Sequence, residues 1–153
     1  MRRRLLFWGP EASKSISMDD LVTDCTRFRE AILAADRSRL IVSLRDFPCG
    51  SCDDTSLLLA RYLRERGHGD FRSISGKRGQ ETHVWLKQGK LVIDLTGSQF
   101  DDWPHEPVYI GEECSWFASF FGVDGGSANY RQFGGSVEVE LDASYAEIVS
   151  HAV

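Results

Sequence analysis

Three residues in this chain have the types and the order that thiol chemistry needs. Cys52 follows the loop Phe47-Pro48-Cys49-Gly50-Ser51 and opens a run of helical character. Exposed amides and the helix dipole at such a start favour a thiolate and can lower a cysteine pKa below its free value of about 8.5. The same amides can hydrogen-bond an oxyanion. His83 and Asp94 follow, 31 and then 11 residues on, on either side of Gln88-Gly89. If those two residues form a hairpin turn, Lys87 pairs with Lys90 and His83 stands directly opposite Asp94. A carboxylate beside an imidazole fixes the ring tautomer and stabilises the imidazolium. Nucleophile, base and orienter are then all present, as acyl transfer through a thioester requires. A one-residue slip in register would part His83 from Asp94. On the hairpin alone, the pair also reads as an incidental cross-strand ion pair.

The elements that position these residues form an α+β order, helices first and then antiparallel strands. Ser17 is an N-cap with Asp19 and Asp20 in the first turn, and Leu21, Cys25, Phe28 and Ile32 give a helix over 18–37. Residues 40–44 are apolar and too short to assign. A second helix starts at Ser51 or Cys52 and ends at Gly67, a natural position for left-handed backbone. Strands are expected at 70–75, 82–87, 90–96, 107–110 and 136–141, with a terminal helix at 143–152. Residues 115–121 are aromatic and apolar. The 153 residues suit one domain, with 1–16 as an irregular lead-in.

The quoted motifs, with Thr82-His83-Val84-Trp85-Leu86 and Val92-Ile93-Asp94-Leu95-Thr96 followed by Gln99-Phe100, resemble the papain-fold/transglutaminase-like superfamily, and its compact bacterial members above all. Cys49-Gly50-Ser51-Cys52 is similar to the segment around the papain nucleophile, with Asp53 in place of the aromatic residue that follows it there. The resemblance covers about residues 47–110. It implies a nucleophile helix packed on an antiparallel sheet, a Cys52-His83-Asp94 triad, and a protein or peptide amide as substrate. Peptide hydrolysis, glutamine deamidation and transglutamination all remain open under it, and a bacterial effector or toxin is one setting. Asp46 stands where papain-like enzymes carry an oxyanion-hole glutamine. Ser51, Trp85 and Gln99 are candidates for oxyanion support or substrate contact, Trp85 as a cleft wall or a packing residue.

Other chemistry is less well matched. Cys49-x-x-Cys52 at a helix start also suits thiol redox exchange, but no preceding βαβ pattern accompanies it. Zinc needs two more ligands, and His68, His83 and Cys114 form no second close pair. No metal and no cofactor are expected. A non-catalytic binding or immunity-type domain of the same fold is the remaining alternative. Asp53 and Asp54 read as first-turn capping residues. His68, His105 and His151 read as surface residues. The net charge of −5 gives no basic footprint for nucleic acid. The apolar run Leu5 to Trp8 is too short for a signal peptide or a membrane span. Four cysteines without a dense framework suggest free thiols and a cytoplasmic setting, or delivery into a target-cell cytosol.

Overall fold

A computed structural model describes residues 17–153; the expected lead-in at 1–16, with Leu5 to Trp8, lies outside them. The order is α1 (Met18–Ala34), α2 (Cys52–Glu65), β1 (Arg72–Arg78), β2 (Glu81–Gln88), β3 (Leu91–Asp94), β4 (Tyr109–Glu112), a one-turn α3 (Ser115–Ala118), β5 (Val123–Ser127) and α4 (Gly135–Val149). The five strands form one antiparallel sheet in the order β4-β3-β2-β1-β5. The fold is thus α+β. No described helix is long and apolar enough to cross a membrane.

Ser17 caps α1 by accepting from the Asp20 amide at 3.1 Å. The stripe Leu21, Cys25, Phe28 and Ile32 is buried, and the helix stops at Ala34, earlier than its periodicity suggests. Val42–Leu44 is a single 3-10 turn. α2 buries a wide face, Leu57 to Ala60 with Tyr62 and Leu63, and closes at Gly67, whose φ is +90°.

The alternation of side chains sorts the sheet into two faces. Leu86 and Ile93 face the main core beneath α1, α2 and α4. Ile74, Trp85 and Val92 face the other way, into an aromatic layer built by Trp116, Phe117 and Phe120. His83 and Asp94 share that second face by strand parity.

Two expectations are overturned. Residues 136–141 are not a strand; they belong to α4. Val137 and Val139 are exposed, while Leu141, Tyr145 and Ile148 are buried at helical spacing, and that stripe decides the element. The β2–β3 turn is Gly89-Lys90, because Gln88 pairs with Leu91. This register is offset by two residues from the expected one, so Asp94 does not stand directly opposite His83. A shift of two preserves which face each side chain occupies, so His83 and Asp94 meet diagonally.

Candidate active site

Helix, sheet and one loop converge on His83. Its ring is fully buried, and Nε2 lies 2.6 Å from Asp94 Oδ2. Asp94 is itself held: Oδ1 accepts from the backbone amides of Thr96 at 2.9 Å and Gly97 at 3.0 Å, and from Thr96 Oγ1 at 3.3 Å. Those donors satisfy one carboxylate oxygen and aim the other at the imidazole. Because a carboxylate accepts, Nε2 donates, and the ring nitrogen left for chemistry is Nδ1. Nδ1 is buried and makes no hydrogen bond.

Aromatic rings enclose the imidazole. Phe100 meets it edge-on at 5.0 Å between centroids, Trp116 edge-on at 5.6 Å, Trp85 tilted at 5.7 Å and Phe120 at 5.9 Å. Arg78 covers this group from outside, 4.3 Å above the Phe120 ring, and is fastened to Asp102 at 2.9 and 3.2 Å. Few waters can then screen the charges inside, and electrostatic interactions there are stronger than at a surface.

Cys52 is the first residue of α2 and half-buried. Ser56 Oγ donates to the Val84 carbonyl at 3.5 Å, so α2 abuts β2 one turn past Cys52 and one residue from His83. Burial is the largest single influence on the His83 imidazole and lowers its pKa. The Asp94 hydrogen bond and charge, with the nearby Cys52, outweigh it and leave the pKa raised to about 9. Asp94 thus favours the charged imidazolium, and Cys52 lies near enough to add to that preference.

A scan against family models and searches of curated proteins and solved structures find no match to this chain. The site has to be read from its own geometry.

The other candidates fall into separate roles. Ser51 is buried, and its hydroxyl donates to the Pro48 carbonyl at 3.0 Å rather than capping α2. Gln99 is a brace: Oε1 accepts from the Gly50 amide at 3.3 Å, and Nε2 donates to the Thr96 carbonyl at 3.0 Å. It ties the loop before Cys52 to the loop after Asp94. Trp85 is 2 % exposed and packs on Phe117 at 5.1 Å, so it supports the imidazole from within the aromatic layer rather than walling an open cleft. Asp54 accepts from Ser43 Oγ, while Asp53 is exposed. Cys49 is exposed and Cys52 carries a free thiol, as do Cys25 and Cys114. Among the described residues no cluster of three or more His, Cys, Asp or Glu side chains could hold a metal ion.

Sequence reasoning missed the enclosure. Phe100, Trp116, Phe120 and Arg78 shape the environment of His83, and the Thr96 and Gly97 amides orient Asp94. The available signal was the density of aromatics between 100 and 120, which composition alone does not attach to a histidine.

Proposed function

We propose that the protein is a cysteine-dependent amide acyl-transfer enzyme with a papain/transglutaminase-like arrangement, acting on a protein or peptide substrate. The observation that carries this reading is the held imidazole. Asp94 fixes Nε2 at 2.6 Å, Nδ1 has no other partner, and Cys52 at the head of α2 is among the groups that keep the ring charged.

The chemistry follows from those positions. The Cys52 thiolate attacks the substrate carbonyl carbon, and uncapped first-turn amides of α2 stabilise the oxyanion. The C–N bond breaks, and the proton on His83 Nδ1 passes to the departing amine or ammonia. A thioester remains. His83, now neutral, takes a proton from water or from a second amine, which attacks the thioester and releases Cys52. Asp94 holds the ring in one tautomer throughout. Such a free thiol suits a reducing compartment, and the cytosol fits that need.

Alkylation by iodoacetamide, with the modified cysteine located by mass spectrometry, tests this directly. We expect Cys52 to label below pH 7 and this labelling to fall when His83 is replaced by Ala. Peptides and glutamine-bearing proteins are then assayed for acid, ammonia or cross-linked product. Labelling of Cys52 that is slow at acidic pH and indifferent to His83 would overturn the reading. The complete enclosure of His83 favours a second one, a binding domain in which the same triad is structural.

A further inference from the structure

A second cysteine–histidine contact lies outside the enclosure of His83. His105 Nε2 is 3.3 Å from Cys114 Sγ. His105 precedes β4 and Cys114 follows it, just before α3. His105 is exposed, yet its ring is held in place. The Tyr109 ring lies beside it at 4.4 Å between centroids, and Trp103 meets it edge-on at 5.2 Å. Trp103 Nε1 donates to the Glu106 carbonyl at 3.0 Å and closes the loop around His105. Trp103 in turn packs edge-on against Trp116 at 4.7 Å. Cys114 is half-buried against the aromatic layer, and its carbonyl accepts from the Ala118 amide at 3.1 Å. A thiol and an imidazole are thus fixed within hydrogen-bond reach of each other and open to solvent, as a reactive cysteine requires.

Cys25 and Cys49 have no such partner among the described residues. Cys25 is buried, and burial, then the Asp24 charge, raises its thiol pKa well above the usual range. Cys49 is the more exposed thiol, but His68, His83 and His151 engage Asp24, Asp94 and Glu147. The charge around Cys114 is negative. Glu106 and Glu112 are exposed, and Glu113 is offset by Lys87 at 3.7 Å. Burial first, then the charges of nearby Cys114 and Glu112, holds the Tyr109 phenol above its usual pKa, so it stays a neutral wall of the site.

We propose that Cys114 and His105 form a second reactive thiol site, separate from Cys52, which takes up half of a small cationic disulfide as a mixed disulfide. The thiol proton passes to His105 Nε2. The Cys114 sulfur attacks one sulfur of the disulfide; a new S–S bond forms as the old one breaks. Cys114 is oxidised, and the other half of the reagent is reduced. It leaves as a thiolate, takes the proton from Nε2 and departs as a free thiol. The flanking carboxylates attract a cationic reagent and repel an anionic one.

The test uses cystamine as the cationic disulfide and glutathione disulfide, with its net negative charge, as the contrast. Both react with the full chain carrying Cys52→Ala, so that no thiol at position 52 can attack an adduct on Cys49 or react itself. Peptide mass spectrometry under non-reducing conditions follows each cysteine separately. With cystamine, the half-buried Cys114 should react faster than the exposed Cys49. His105→Gln should slow Cys114 at least about threefold, because extra thiolate is partly offset by its lower nucleophilicity, and should leave Cys49 unchanged. At low salt, glutathione disulfide should modify Cys114 at least about tenfold more slowly than cystamine. Tryptophan fluorescence checks that the fold is kept, and His105→Asn serves if Gln disturbs it. Modification of Cys114 that lags behind Cys49, or that ignores the loss of the imidazole, overturns the site. Equal or faster reaction with glutathione disulfide overturns its choice of reagent. Position 52 carries no thiol in these experiments, so this inference and the proposed function fail separately.

Discussion

Two histidine–aspartate pairs lie in this molecule at nearly the same distance. His83 Nε2 is 2.6 Å from Asp94 Oδ2, and His68 Nε2 is 2.7 Å from Asp24 Oδ2. Both histidine side chains are buried. The surroundings differ. Asp24 also receives Arg66 at 3.3 Å and Arg27 at 3.5 Å. It gathers three cationic or donor groups and fastens the end of α2 to the middle of α1. Asp94 is satisfied by two backbone amides and the Thr96 hydroxyl, and it serves one ionisable side chain. The other nitrogen of that imidazole points at no structural partner and has a cysteine for a neighbour. A short His–Asp contact is therefore no sign of chemistry by itself. What separates the pairs is what else holds the carboxylate, arginines at Asp24 and backbone amides at Asp94, and that a cysteine lies near the His83 ring.

Substitution should divide the two pairs sharply. Under the proposed mechanism, replacing His83 with Ala removes the base, and turnover of a responsive amide should fall about 10²–10⁴-fold; His68→Ala should leave the rate per folded molecule within a small factor. Equal losses in both would erase the distinction. The reverse order is expected for folding. Asp24→Ala strands a buried histidine and two arginines, and should cost about 3 kcal/mol, read as a lower urea midpoint with an unchanged slope.

The pH dependence sharpens the contrast. Asp94→Asn keeps the shape and removes the charge that opposes burial of the imidazolium. In the proposed mechanism loss of the His83 proton near 9 sets the alkaline limb of activity, and that limb should move down by at least about one unit. An unmoved limb would assign that titration elsewhere. Stability carries the same signature. The folded pKa of His83 lies above its usual 6.5, so its contribution is fully present below 6.5 and is lost as pH rises through about 9. Urea midpoints of the unsubstituted protein should drop over that window by the equivalent of about 1–3 kcal/mol, and a His83→Gln variant should lack the drop. The smallest effect is expected at Gly97, where an added Cβ would overlap the Trp103 ring. Gly97→Ala should cost about 1–2 kcal/mol and lower activity through Asp94, whose orientation depends on the Gly97 amide.

Much of the scaffold was legible, for physical reasons. α1 and α2 declare themselves through a cap, a spaced apolar stripe and a terminal glycine. The hairpin declares itself through β-branched runs around a glycine. Its register was misread because Gln88-Gly89 and Gly89-Lys90 are both workable turns, and only side-chain packing chooses between them. His83 and Asp94 still share a face because the two choices differ by an even number of residues. Val137 to Leu141 alternates like a strand by coincidence, and burial of Leu141, Tyr145 and Ile148 overrides it. His68 sits between two glycines and looks exposed, yet its partner Asp24 is 44 residues earlier. Contacts of that range, like the rings around His83, leave no local trace in a sequence.

The Gln99 brace has a consequence for motion. One amide side chain joins Gly50, two residues before the thiol, to Thr96, two residues after the carboxylate. The two loops are thereby geared together, and displacement of either is felt at the other. Hydrogen exchange at the Gly50 amide should report on the loop after β3, 46 positions away, and cutting the link with Gln99→Ala should let Cys52 and Asp94 drift independently although neither is altered.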